Sequence, residues 1–427
     1  MLKRLIGDKA SLENVVTLLT GSVLAQVITV LVTPVLTRIF TTEDFGILAA
    51  FTAVTSFIAF ISSFRYELAI MLPKADKEAN ELFQLAIRIV LIVSIVSGIL
   101  LYIFGDVLCD WLQVPQLKSY ILFMPVAILL TGLYQVIMNW NNRFESYKRI
   151  SASRLSQSIS TASTNVGLGV ANFGFISLII GQLVGLFISV LVMFHKWKKG
   201  VEHKLFSVSN AELKELAKEY KEFPMYNAPH ILSNQLQNNG VIFFVSGFFG
   251  AAILGLYSLT LRVLHAPLNT IGISYTQVFY KNASVLYANG KNLKAFTKKS
   301  ILQLTAMSIP VFIVLLFFAP DLFAFIFGEE WREAGDYARY LSPWLLITFI
   351  IKPISTIPVI VNEQKKSFII NLIGNSLILL CIVVGGILLK DVKSTFLILS
   401  ATQILYQSAY IAWIVSISNK KNEEVQP

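Results

Sequence analysis

The chain has 427 residues, of which 55% are apolar and 14% charged, with a formal charge of +10 and a mean hydropathy of +0.67. Soluble domains carry about 25% charged residues, and a soluble fold of this composition would leave large apolar patches in water. Nucleic-acid-binding modules, disulfide scaffolds and disordered tails are therefore poor readings, and the chain reads as an all-α polytopic membrane protein.

The N-terminus, MLKRLIGDKASLENVV, is basic but is not followed by a short apolar core with a small-residue cleavage site. It is expected to be retained, with the first span as the insertion signal. Apolar runs follow at 14–37, 45–72, 80–104, 120–140, 152–172 and 175–195. The fifth, SASRLSQSISTASTNVGLGVANFG, is too polar to face lipid on all sides and should face protein or water on one. A polar stretch at 196–225 then separates this set from a second at 226–249, 252–280, 299–320, 338–361, 367–389 and 394–417. At about 20 residues per spanning helix this makes roughly twelve spans. The expected organisation is a six-helix lobe over 1–195, a cytoplasmic linker over 196–225 and a second six-helix lobe over 226–427. Within the linker, SNAELKELAKEYKEF predicts a helix. Ser209 and Glu212 make a capping-box pattern, and Leu213, Leu216, Ala217 and Tyr220 form one apolar stripe. It reads as an interfacial helix tethering the halves at the inner membrane surface, or as a solvated linker helix. Cys109 and Cys381 read as small buried hydrophobes, not as a disulfide or a zinc site.

Orientation follows from charge. Of the 35 Lys and Arg, 25 fall in segments that are inside if the N-terminus is inside, 6 fall in outer loops, and Arg65, Arg88, Arg262 and Lys352 lie within spans. The positive-inside rule then puts both termini in the cytoplasm. The +10 charge is a topology signal and calls for no nucleic-acid partner.

The halves read as a weak repeat. IFTTEDFGILAAF lines up with FFGAAILGLYSLT, pairing Phe40 with Phe249 and Gly46 with Gly255. Asp106 pairs with Asp321, Pro125 with Pro343 and Asn142 with Asn362. An even number of spans per repeat gives the halves one orientation, related by an axis along the membrane normal, with a cavity between two lobes as the natural architecture.

Four stretches carry a resemblance. PVLTRIFTTEDFG, with Pro34, Arg38, Phe45 and Gly46, resembles the first-span signature of Wzx-type polysaccharide flippases of the multidrug/oligosaccharidyl-lipid/polysaccharide exporter superfamily. FRYELAI is similar to the end of their second span, GLYSLTLRV to the start of span 8, and APDLFAFIFGEEWREAGDYARYLSP to their span 9–10 connection. The resemblance covers the whole chain. It implies a MATE-like fold of two six-helix lobes in the bacterial inner membrane and an alternating-access cycle. The implied substrate is an undecaprenyl-diphosphate-linked oligosaccharide, moved from the cytoplasmic to the external leaflet. The implied partners are this lipid-linked substrate, membrane lipids, and polysaccharide polymerase and chain-length proteins. Where many relatives carry an Asp in span 7, this chain reads Asn238-Asn239-Gly240, so a coupling role for that carboxylate is not carried over.

No enzyme constellation stands out: there is no Gly-rich phosphate loop and no His-Glu-x-x-His, and the reading includes no catalytic residue, metal or cofactor. Charges inside spans are costly and usually face a cavity or a partner. Arg65 either snorkels to the inner headgroups or faces the cavity. Glu67 stands two residues on, about 200° around a continuous helix, so the two are not expected to pair on one face. Glu67 reads as half of an interhelix ion pair or as an ion-coupling group. Arg262 and Lys352 fall near the midplane. Arg262, His265 and Asn269 share one face of span 8, while Asn234 and Asn238 lie on a polar stripe of span 7 with Asn227, His230 and Gln237. Span 4 offers Thr131, Gln135, Met138 and Asn142, and span 10 offers Thr348, Lys352, Ser355 and Thr356. Arg binds a diphosphate by a bidentate fork and Lys as a point charge. The candidate substrate-binding set is Arg65, Arg262, Lys352, His265, Asn269, Asn234, Asn238 and Gln135; the bland alternative is a buried network without substrate contact. The rival functions are a multidrug or metabolite antiporter, which would want more carboxylates, a fourteen-span lipid II flippase, a membrane enzyme of polysaccharide assembly and a scaffold for such enzymes.

Overall fold

The structure is a computed structural model and describes residues 9–194 and 208–419, with some side chains inside α1, α9 and α10 left aside. The described residues are helical, with no strand. In chain order the helices are α1 Lys9–Ile39, α2 Thr42–Ala59, α3 Tyr66–Ala69, α4 Asp76–Trp111, α5 Phe123–Arg143, α6 Tyr147–Val170, α7 Ile176–Phe194, α8 Asn210–Glu219, α9 Ala228–Phe249, α10 Ala251–Ala288, α11 Leu293–Phe327, α12 Arg332–Ile354, α13 Ile357–Ile360, α14 Gln364–Val384 and α15 Val392–Ile417. Twelve of these have 18 residues or more, matching the twelve apolar runs. Among the described residues nine helical stretches are long and apolar enough to cross a membrane, and α9 and α10 add the shorter apolar stretches Asn239–Phe249 and Ala251–His265.

The remaining long helix is the polar α6, and its packing explains its composition. Ser151 Oγ donates to Thr17 O of α1 at 3.0 Å, and Ser153 Oγ donates to Ser189 O of α7 at 2.9 Å. Arg154 also hydrogen-bonds to Ser22 of α1. Glycines on the facing helices permit the close approach: a Cβ on Gly21 would come within 1.7 Å of Ser151 Oγ, and one on Gly185 within 1.9 Å of Thr161 Oγ1. Small residues and interhelix hydrogen bonds are the usual means of joining helices in lipid.

The chain forms two compact units, residues 1–246 and 247–427. The division falls after most of α9, not in the 196–225 linker. The reason is that α9 is tied to the first unit: Phe243 meets Phe57, Phe244 meets Trp111, and Ser56 Oγ donates to Asn239 Oδ1 at 3.4 Å.

The capping box expected at Ser209 is formed, and the structure shows a second at Thr41. At α8, Glu212 N donates to Ser209 Oγ at 3.2 Å and Ser209 N donates to Glu212 Oε2 at 2.9 Å. Thr41 and Asp44 do the same at the start of α2. The apolar stripe of α8 is buried on protein. Leu213 and Leu216 join one cluster with Tyr66, Phe83 and Trp140, with Ala217 and Tyr220 packed at its edge.

Candidate functional site

The second span is not one helix. α2 ends at Ala59, turns occupy 60–65, and the chain resumes as the short α3. The Ser62-Ser63 pair accounts for the stop, since serine hydroxyls compete for helix carbonyls. Ser62 Oγ donates to Ala59 O at 2.8 Å. Phe64 and Arg65 then both adopt left-handed backbone, with φ of 48° and 68°. This geometry corrects the expectation that Arg65 and Glu67 point apart. Arg65 Nη1 lies 3.0 Å from Glu67 Oε1, and the side chains are 16% and 1% exposed. Ser63 Oγ also donates to Glu67 Oε2. The buried carboxylate is thus held by a cation and a hydroxyl from its own turn, not by another span.

Neighbouring elements hold this turn in place. Gln135 of α5, a substrate-binding candidate, is buried and donates through Nε2 to Ala59 O at 3.5 Å, so its visible contact is with the end of α2. Arg143 donates through Nη1 to Ile70 O at 3.0 Å and pairs with Asp76 at 3.0 Å. Tyr66 OH donates to Ala217 O of α8 at 2.9 Å. Arg88, a bare charge in a span when read from sequence, reaches the linker. It donates to Asn210 Oδ1 at 2.7 Å and to Val208 O at 2.8 Å. The sequence reading gave Ser63, Tyr66 and Arg143 no part in this turn and saw Arg88 only as a charge within a span. The only signal was the Ser62-Ser63 pair standing just ahead of two opposite charges.

In the second unit, His265 and Gly272 are seven positions apart on α10 and share a face. Lys352 of α12 lies along that face: a Cβ on Gly272 would be 3.2 Å from Lys352 Cδ. His265 is exposed, and Arg262, one turn before it on α10, is half-buried, as is Lys352. The structure thus sets Lys352 against Gly272 of α10, with His265 about two turns and Arg262 about three turns before Gly272 on the same helix. Thr348 of α12 exchanges a hydrogen bond with Gln407 at 3.1 Å, and Ser355 Oγ donates to Lys352 O at 2.8 Å. The side chains of Asn234, Asn238 and Asn269 lie outside the described residues, as do those of His230 and Gln237. Their neighbour Asn239 is described and donates to Gln235 Oε1 at 2.9 Å. Among the described residues no cluster of His, Cys, Asp or Glu could hold a metal ion.

The fold is shared with known transporters. The chain is similar to an inward-facing multidrug resistance MATE family transporter of the MOP superfamily, with 14% identity, a TM-score of 0.62, and coverage of 91% of this chain and 95% of that one. It is similar to the lipid II flippase MurJ in an inward closed conformation, with 16% identity, a TM-score of 0.69, and coverage of 95% and 87%. It is also similar to a MOP superfamily transporter from Pyrococcus furiosus whose binding pocket is described as having reverse polarity, with 13% identity, a TM-score of 0.54, and coverage of 96% of each chain. No curated protein matches in sequence. These likenesses and the run of apolar helices define a multi-pass membrane protein with the two-lobe MOP fold. Residues 35–336 match the family described as "Polysaccharide biosynthesis protein", and the chain belongs to that family.

Proposed function

We propose that the protein flips an undecaprenyl-diphosphate-linked oligosaccharide from the cytoplasmic to the external leaflet by alternating access. The observation that carries this reading is that a chain of the polysaccharide biosynthesis family has the fold of MOP-superfamily transporters. One of its structural neighbours is a flippase for lipid II. Arg262, Lys352 and His265 would receive the anionic diphosphate, with hydroxyls and amides, including Asn234, Asn238 and Asn269, left for sugars. The transport needs no bond chemistry from the protein. The orientation, with both termini in the cytoplasm of a bacterial inner membrane, rests on the distribution of Lys and Arg, and polymerase and chain-length proteins would act on what is delivered.

The alternative is transport of drugs such as organic cations, since the MATE-family neighbour is described as a multidrug resistance transporter. A cation would seek an available carboxylate, and Glu67 is already held by Arg65 and Ser63. Reconstitution into vesicles with a labelled lipid-linked oligosaccharide in one leaflet separates the readings. The flippase reading requires protein-dependent transfer of the glycan, and drug export requires uptake of a cation in its place.

A further inference from the structure

One end of the second unit carries a dense basic collar. The end of α10, the start of α11, the α13–α14 connection and the end of α15 converge there. Phe279, Leu293, Ile357, Val361 and Ile417 form one buried cluster, and Thr297 Oγ1 donates to Ser418 Oγ at 3.4 Å. Around this cluster stand Lys281, the run Lys291, Lys294, Lys298 and Lys299, and the pair Lys365 and Lys366. Among the described residues the acid at this end is Glu363, which already pairs with Lys366 at 3.3 Å. The matching stretch of the first unit differs: Asp76 and Glu78 stand in the first turn of α4, and Arg143 is paired with Asp76.

Two further observations say what would meet this charge. The lysines sit one turn from apolar residues that the fold leaves open. On α11, Leu302 is 70% exposed and lies three and four positions after Lys299 and Lys298. On α14, the exposed Phe368, Ile369 and Leu372 follow Lys365 on one face. One helical turn is about 5.4 Å, so the ammonium groups stand just above the start of a lipid-facing surface, at headgroup depth. In addition, α11 and α14 both begin with lysines and have no acid in their first turns. A helix N-terminus favours negative charge, so these lysines do not serve the helices they begin. A phosphate above the first turn would meet the lysines and the helix ends together.

We infer that this collar is a binding surface for anionic phospholipid headgroups. Clusters of four to eight basic residues beside a membrane-spanning helix bind anionic lipids, each contributing enough near the surface for about a fivefold change in affinity. This inference is independent of the transported substrate.

The test titrates dansyl-labelled phosphatidylglycerol or phosphatidylcholine into the full-length protein in neutral detergent and reads energy transfer from tryptophan. Phosphatidylglycerol should half-saturate at a much lower concentration, and the preference should vanish at about 1 M salt, where the screening length is about 3 Å. Lys298→Gln with Lys299→Gln, both exposed and so tolerated by the fold, should raise the half-saturating concentration roughly 25-fold. Lys214→Gln with Lys218→Gln on α8 should leave it unchanged. Equal binding of the two lipids, or no response to the Lys298/Lys299 change, would overturn the assignment. Displacement of phosphatidylglycerol by equimolar inorganic pyrophosphate would also overturn it, by assigning the collar to soluble phosphate.

Discussion

Arg65 and Glu67 meet at 3.0 Å, although a continuous helix would set them on opposite sides. The pair exists because the second span breaks at Ser62-Ser63 and passes through two left-handed residues. Its partners belong to the turn itself, so the pair and the bend depend on each other.

Breaking one side leaves a buried charge. Glu67→Gln should destabilise the protein by about 3 kcal/mol, at the lower end for a buried pair because Arg65 keeps some contact with solvent. Arg65→Gln should cost at least as much, because it leaves the more deeply buried Glu67 without its cation, and the double variant should cost less than the two singles added together. Thermal unfolding in detergent reads this, and simple additivity would mean that the two side chains are not coupled. The same Glu67→Gln protein tests ion coupling: unchanged gradient-driven transport would remove Glu67 from that role.

The linker helix is anchored by polar groups of the first unit. Arg88→Ala removes two charge-assisted bonds, each worth about 1.5–3 kcal/mol at most. Hydrogen exchange at 208–219 should accelerate strongly in that variant and less in Tyr66→Phe, which loses one neutral bond. Unchanged exchange in Arg88→Ala would show that Leu213 and Leu216 hold the helix without it.

The α8 cap adds a pH dependence. The backbone and hydroxyl of Ser209 hold the Glu212 carboxyl below its ordinary value of 4.5. A lowered folded value means that the cap's contribution is fully present above 4.5 and is lost as pH falls through the lower folded value. Protection of 210–219 should therefore persist from neutral pH to about 4.5 and decline below it, and Ser209→Ala should cost about 1 kcal/mol and shrink that step, the backbone N–H of residue 209 still holding Glu212. A step unaltered by Ser209→Ala would assign the titration to another group.

Gly272 gives Lys352 its course along α10. Gly272→Ala should be tolerated, because the atom it meets at 3.2 Å belongs to a flexible side chain. Gly272→Leu should displace Lys352 and reduce transport as far as Lys352→Ala does, at near-normal membrane levels. Full transport by Gly272→Leu would show that the position of Lys352 is not important.

Much of the architecture was legible because it depends on local pattern. The apolar runs correspond to twelve long helices, and the Ser209–Glu212 spacing marked the start of α8. The polarity of 152–172 announced a helix with one face on protein or water, and the bonds of Ser151 and Ser153 set it on protein. The break at 60–65 was hidden because FISSF keeps the apolar content of a span, and its left-handed residues are Phe64 and Arg65, not glycines. Arg88 was legible only as a costly charge, since its partners Val208 and Asn210 lie far along the chain. For Gln135 the residue type pointed to sugars, while its contact is a helix-end carbonyl.

The central claim is that cationic residues of the second unit receive a lipid diphosphate. A charge near mid-membrane costs at least ~2.5–3.5 kcal/mol on insertion scales, which a substrate anion in a wet cavity would offset. The direct measurement is leaflet-resolved transfer of undecaprenyl-diphosphate-linked oligosaccharide in vesicles containing wild-type, Arg262→Ala, Arg262→Lys or Lys352→Ala protein. Losing one charged hydrogen-bonding partner costs roughly 1.5–3 kcal/mol, a tenfold to hundredfold loss of binding. The account predicts transfer by the wild type, crippled transfer by both alanine variants at near-normal membrane levels, and partial recovery in Arg262→Lys, which lacks the bidentate fork. Wild-type rates in both stably inserted alanine variants would contradict it.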